Sequence, residues 1–192
     1  MFNVGDNIVY PMHGAGVIHS IEKKNILNEE QEYYIISMPG EVKVMVPIAN
    51  AEQIGVRSII NKQEVEKVFD VLEENETEMS NNWNKRYRDN MDKMKSGDIF
   101  EIADVVRNLS FKQKEKGLST GEKKMLNNAR QILISELVLA EQKPQEEVEK
   151  LVDNKITLAF EENRIHIAEQ SPVSDSIVSK FIPFNSTGTT EE

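Results

Sequence analysis

The residues with the clearest chemical potential surround the only tryptophan of the chain, in the stretch SNNWNKRYRDNM (residues 80–91). Five of the twelve residues that follow Trp83 are Lys or Arg, namely Lys85, Arg86, Arg88, Lys93 and Lys95. Cationic side chains hold phosphates, and an apolar ring beside them can press on exposed or unstacked bases. This combination of residue types indicates a contact with nucleic acid.

A second interpretation places Trp83 in a hydrophobic core. On a helical projection Trp83, Tyr87, Met91 and Met94 fall within an arc of about 80°, so Trp83 can begin the buried stripe of its helix. The same residue lies in the first helical turn beside an Asn-rich loop, where a side chain overhangs most easily into solvent. The local sequence leaves both the core and the wedge interpretation open.

A second basic group, KQKEKG and GEKKM within residues 112–125, brackets a predicted helix start. Ser119 and Glu122 have the spacing of a capping box, in which each side chain satisfies a backbone donor of the other residue. Backbone N–H groups at a helix start can add a phosphate contact. An ordinary solvated face explains these lysines equally well.

Composition limits the classes of protein that remain. The 192 residues carry a formal net charge of −10, yet residues 81–130 hold 12 Lys and Arg against 7 Asp and Glu. Screening over roughly 8–10 Å lets this basic segment act locally within an acidic chain. The chain has no cysteine, which excludes disulfides and zinc ribbons and suits a reducing cytosol. It has no apolar run of about 18 residues, and MFNVGDNIVY does not resemble a secretory signal.

Catalytic and metal-binding signals are weak. The three histidines, His13, His19 and His166, form no HExxH pair, and Gly14-Ala15-Gly16 lacks the frame of a phosphate-binding loop. Nothing in the sequence assembles a nucleophile, its base and an oxyanion site. We therefore predict a protein that is not an enzyme, with no catalytic residues, no metal ligands and no cofactor.

The first part of the chain has the sequence pattern of short strands separated by strand-breaking residues. NIVYP, GAGVIHSI, EYYIISM and VKVMVP are separated by Gly, Pro, Asn and charged residues. Val42, Val44 and Val46 alternate with Lys43 and Met45, as in a strand with one buried face. These patterns predict a small antiparallel barrel or curled sheet, with the stretch around Lys43–Val46 as an edge strand that can dock another chain.

After residue 60 the periodicity changes to that of about five helices. Apolar stripes predict helices over 61–75, 81–95 and 99–116, a fourth after the Ser119 cap, and a fifth that opens at Pro144. The sequence thus predicts an α+β protein with domains at 1–60 and 61–161, followed by a flexible tail at 162–192. Within that tail IVSKFIPF (177–184) can be a docking peptide or can pack back on the bundle.

Five blocks of sequence, in order, resemble the CarD family of bacterial transcription regulators. They are VGDNIVYPMHGAGVI, VPIANAEQIGVR, NWNKRYRDNMDKMKSGD, VVRNL and GLSTGEKKMLNNARQILISEL, and the resemblance covers about residues 1–160. Residues 1–60 also resemble the polymerase-interaction module of transcription-repair coupling factors. No helicase motif follows that module, which removes the translocase interpretation.

The resemblance implies a two-domain adaptor. Its N-terminal Tudor-like (SH3-like) domain would bind the β subunit of RNA polymerase by strand pairing, and its helical domain would reach promoter DNA at the upstream edge of the melted bubble without reading base sequence. The implied DNA-binding residues are Trp83 as the wedge, with Lys85, Arg86, Arg88, Lys123 and Lys124. The implied polymerase-binding residues are Lys24, Ile26, Lys43 and Met45, although relatives often have a basic residue where Met45 stands.

The same resemblance implies a monomer that stabilises the open promoter complex in the cytoplasm, associated with the nucleoid through RNA polymerase, with no membrane partner. One alternative remains from the residues alone. In it the protein is an adaptor between proteins only, its helices bind another regulator, and Trp83 is a core residue.

Overall fold

The computed structural model describes residues 1–26 and 29–170, with side chains described as far as residue 165. In these ranges the strands are Asn7–Tyr10 (β1), Gly14–Ile26 (β2), Glu29–Ser37 (β3), Lys43–Pro47 (β4) and Arg57–Ser58 (β5). The helices are Ala51–Ile54 (α1), Lys62–Glu73 (α2), Trp83–Ser96 (α3), Ile99–Glu115 (α4), Thr120–Glu141 (α5) and Gln145–Gln170 (α6). The predicted α+β architecture, a strand-rich part followed by a helical bundle, is confirmed.

The strands form one antiparallel sheet in the order β4-β3-β2-β1-β5. Alternate residues of each strand share a face, and the inward face carries Ile18, Tyr34, Ile36 and Val46, all buried in a small hydrophobic core. The predicted edge strand is confirmed, because β4 pairs with β3 on one side and is the end of the sheet within the described residues.

Of the two predicted forms, a small barrel or a curled sheet, the described residues show the open sheet, because β4 and β5 are its two ends and do not pair. The chain between them folds into a turn at Ile48–Asn50 and the short helix α1. Ala51 and Val56 from this connection are buried in the core of the sheet. The β5 strand has two residues, too few to bridge the gap, so the connection covers the core in place of a closed ladder.

The helices of the second part begin directly after capping residues in the sequence. Asn61 and Ser119 form capping boxes with Glu64 and Glu122, and the side chain of Asp98 accepts from the backbone of α4. The helices enclose a second core of apolar residues from α2, α3, α4, α5 and α6. In this part the predicted helices and their starts are confirmed within a few residues.

Helix α6 continues through Gln170, so the helical part runs past residue 161, where the sequence placed its end. Residues 171–192, including IVSKFIPF, lie outside the described residues.

The sheet and the bundle meet along α5. The guanidinium of Arg57 on β5 binds both carboxylate oxygens of the fully buried Glu136 on α5, at 2.6 and 2.9 Å. It also donates to the carbonyl oxygen of Gly97 at the end of α3, at 2.8 Å. The backbone N–H of Ala15 on β2 donates to Ser135 Oγ on α5, at 2.8 Å. These polar contacts fix the sheet on the C-terminal half of α5.

Candidate nucleic-acid interface

Trp83 is the first residue of α3, and the side chain of Asn82 before it accepts a hydrogen bond from the Lys85 backbone and caps the helix. The indole is 44% exposed. One face stacks on the ring of Tyr87, with centroids 5.3 Å apart, and its Nε1–H donates to Ser119 Oγ at 3.0 Å. Trp83 is therefore neither a core residue nor a free side chain, because it is held on one side and open on the other.

The first turn of α5 lies against one edge of the indole. A Cβ atom at Gly121 would lie 3.4 Å from Cζ2 of Trp83 and 3.7 Å from Cε2 of Tyr87. These are ordinary van der Waals distances, so the first turn of α5 lies directly against both rings. Two helix starts, those of α3 and α5, together define where Trp83 lies.

Arg86 does not face outward with its neighbours. Its side chain is buried, and Nε donates to the carboxylate of Glu122 on α5 at 2.8 Å. Nη1 donates to the carbonyl oxygens of Ser80 and Asn81 at 2.6 and 3.3 Å. The sequence grouped Arg86 with the DNA-binding cations, whereas in the structure its charge is directed inward and ties the start of α3 to the start of α5.

Glu122 is the acceptor at the centre of this cluster. Burial raises the pKa of its carboxyl, but hydrogen bonds from the backbone and hydroxyl of Ser119, from Arg86 and from Lys112 outweigh burial and lower the pKa to about 2. The Lys112 ammonium lies 3.1 Å from the carboxylate. The carboxylate is therefore ionised and fully engaged at neutral pH.

The other predicted cations are available. Lys85, Arg88, Lys123 and Lys124 are exposed, and in the described part of the chain none has a carboxylate partner within 4.0 Å. They lie in the first two turns of α3 and α5, the two helices whose starts hold Trp83. Four of the five predicted cations are therefore exposed on the same two helix starts as the indole.

The predicted polymerase-binding residues share one face of the sheet. The strand register pairs Ile35 with both Ser20 and Met45, and Ser37 with Lys43, so Lys43 and Met45 lie on the face opposite the core.

Lys24 and Ile26 follow Ser20 at even spacing on β2 and lie on that same outward face, Lys24 with its ammonium 2.6 Å from Glu22. Hydrogen bonds from Lys24 and Ser20, with the charges of Lys24 and Lys43, lower the pKa of Glu22. Ile26 and Met45 are 40% and 45% exposed. The four residues therefore form one outward surface, which we call the sheet face.

Other polar clusters have structural roles. Buried Arg107 bonds to Asp104, to Asn108 and to the carbonyl oxygen of Val71, and Asn108 in turn bonds to Thr77. This network anchors the loop between α2 and α3. His13 stacks on Tyr10 with centroids 4.5 Å apart. Among the described residues, no group of three or more His, Cys, Asp and Glu side chains could hold a metal ion.

Comparison with known proteins assigns this architecture to a class. Residues 2–60, the sheet and its connections, match the CarD-like/TRCF RID domain, and residues 67–153 in the bundle match the CarD C-terminal domain. The first match is a domain of RNA polymerase interaction. The fold and the site thus define a transcription factor that carries a polymerase-interaction domain.

A protein of Bacillus subtilis (strain 168) named "Putative transcription factor YdeB" is 44% identical to this chain over 138 residues. The aligned part is 71% of this chain and 90% of that relative. The chain belongs to the CarD family of transcription factors, as its sequence motifs predicted. Within residues 1–26 and 29–170, no helix has the length and apolar character needed to cross a membrane.

Proposed function

We propose that this protein regulates transcription initiation by bridging RNA polymerase and promoter DNA. The sheet face and the free edge of β4 bind the β-subunit lobe of the polymerase. The helical part presents Trp83 and the exposed cations of α3 and α5 to the upstream edge of the melted bubble, and this contact stabilises the open complex.

The observation that carries the proposal is the position of Trp83. An indole that is 44% exposed and stacked on Tyr87, with four exposed cations on the same two helix starts, suits a wedge that presses on a base at a duplex junction. Lys and Arg neutralise phosphates, and the apolar ring gains most where bases are already unstacked. The adaptor alternative needed Trp83 in a core, which this exposure argues against.

The sheet supports the docking half of the proposal. The outer edge of β4 offers backbone N–H and C=O groups to which a partner strand can add. Lys43 provides charge on β4 itself and Lys24 lies two strands away on β2, while Ile26 and Met45 provide exposed apolar area. Such a surface favours a strand-pairing contact with acidic and apolar neighbours.

In this mechanism the polymerase supplies affinity and location, and Trp83 supplies selectivity for the open state. A wedge shifts the equilibrium between closed and open DNA only by its difference in affinity for the two states. No readout of base sequence is needed, because melting and shape provide the discrimination. The protein would act as a monomer without a cofactor, in the cytoplasm and at the nucleoid.

The test is Trp83→Ala in an open-complex lifetime assay with purified polymerase and a promoter. Loss of base stacking worth about 1–3 kcal/mol should shorten the lifetime by about ten- to a hundredfold. Leu158→Ala, which truncates an exposed apolar side chain on α6, is the matched control and should leave the lifetime unchanged. An unaltered lifetime in a folded, polymerase-bound Trp83→Ala protein would refute the wedge mechanism.

A further inference from the structure

The hydroxyl of Ser119 makes three hydrogen bonds that link the helix cap of α5 to the indole of Trp83. It accepts from Trp83 Nε1 at 3.0 Å and from the backbone N–H of Glu122 at 3.3 Å, and it donates to Glu122 Oε2 at 2.8 Å. A serine hydroxyl has one donor and two acceptor sites. All three are in use, so the hydroxyl has no remaining rotational freedom.

The direction of these bonds follows from the groups involved. The indole N–H can only donate. Glu122 is buried against Arg86 and Lys112 and is ionised at neutral pH, so its oxygens accept and the Ser119 hydrogen is committed to them. The lone pair that faces Trp83 is therefore always available, which makes Ser119 a fixed acceptor for the wedge.

Three contacts of different kinds now restrain one exposed ring. Tyr87 covers a face of the indole, the first turn of α5 lies against its six-membered ring at Gly121, and Ser119 binds its nitrogen. An exposed tryptophan without such contacts would exchange between rotamers and lose that freedom on binding. Restraint before binding reduces that entropic cost.

We propose that Ser119 is a positioning residue that holds Trp83 in the orientation in which it meets the edge of the bubble. The proposal rests on the proposed function of Trp83 as a wedge. The residue acts through the indole and does not itself need to touch DNA.

The test uses Ser119→Gly, because glycine is nearly as good as serine at an N-cap but has no hydroxyl. Asn61→Gly is the matched control, since Asn61 caps α2 in the same kind of capping box and contacts no part of Trp83. Ser119→Thr keeps the hydroxyl and is the rescue variant. The chain has a single tryptophan, so its fluorescence reports this position alone.

In Ser119→Gly the indole should become more mobile, seen as lower time-resolved fluorescence anisotropy and faster acrylamide quenching. The open-complex lifetime should shorten by about two- to tenfold, the effect of losing one net hydrogen bond. Ser119→Thr should restore both values, and Asn61→Gly should change neither.

An unchanged anisotropy in Ser119→Gly, or an open-complex lifetime that is unchanged or longer, would overturn the positioning role. Trp83→Ala in the same experiment separates the two proposals. If Trp83→Ala shortens the lifetime and Ser119→Gly does not, the positioning role fails while the wedge stands. If neither variant shortens it, the wedge itself fails.

Discussion

At the scale of single residues, Lys85, Arg86 and Arg88 show why equal residue types need not share a role. All three lie in one helical turn, yet Arg86 is buried against Glu122 and the other two are exposed. The sequence placed Trp83 in the first turn of a helix, because the helical period encodes that position, but it left open whether the indole is buried or exposed. It could not identify the partner of Arg86 or the bond from Trp83 to Ser119, since both partners are 36 residues away.

The low pKa of Glu122 makes stability depend on pH in the acid range. The pKa of this carboxyl is about 2 in the folded protein, compared with an ordinary value of 4.5. As pH falls below about 5, the unfolded chain takes up the proton before the folded protein does, so stability that is present at neutral pH is lost progressively. The loss amounts to about 3 kcal/mol by pH 2.

This prediction is checked by urea unfolding of the wild type and Glu122→Gln between about pH 6 and 2. The difference in unfolding free energy between the two proteins should shrink towards low pH by about the amount given above. Glu64→Gln, at the equivalent position of the capping box of α2, serves as the control. A difference that stays constant with pH would contradict the prediction.

At the scale of elements, the helices could be predicted because residues close in sequence determine where each helix begins and ends. These residues are the N-caps Asn61, Asp98 and Ser119, and Gly97, which has a left-handed backbone conformation. The closure of the sheet could not be predicted, because it depends on whether distant edges meet. The contacts that join the sheet to the bundle, which we call the seam, also could not be predicted. Glu136 occurs within an apolar helical stripe, and only the folded chain shows that it binds Arg57 and the backbone N–H of Ile60.

Glu136→Ala should loosen this seam and lower stability. Breaking a buried ion pair by removing one partner costs about 3–5 kcal/mol, because the remaining charge and the N–H of Ile60 lose their acceptor. The freed Arg57 should then become a faster site of trypsin cleavage, measured by mass spectrometry as the appearance of fragment 1–57. Glu141→Ala on the same helix removes the half-buried partner of Lys143 and should leave cleavage after Arg57 slow. Equal cleavage rates in the two variants would show that the seam does not depend on Glu136.

At the scale of the whole molecule, charge is distributed unevenly along the chain. The net charge is −10, while the first two turns of α3 and α5 carry four exposed cations. In the proposed function, such an acidic protein would bind DNA best at that surface, which would restrict its orientation on a promoter. The sequence revealed this asymmetry because charge can be counted without knowing the fold.

Salt dependence tests the use of these cations. Lys85→Ala and Arg88→Ala should each reduce by about one the slope of log binding constant against log salt concentration, measured for association with polymerase–promoter complexes. Lys150→Ala, an exposed lysine on α6, is the control and should leave the slope unchanged. Slopes equal to the wild type in both test variants would remove Lys85 and Arg88 from the phosphate contacts.

Helix α5 connects the position of Trp83 with the sheet. Helix α5 binds Trp83 through its cap at Ser119 and binds the sheet through Ser135 and Glu136. The axial distance from Ser119 to Glu136 is about 25 Å at 1.5 Å per residue. With the sheet bound to the polymerase as proposed, helix α5 would fix the distance between the polymerase surface and Trp83. Trp83 would then contact DNA only at that distance, so the contact would depend on where the strands separate.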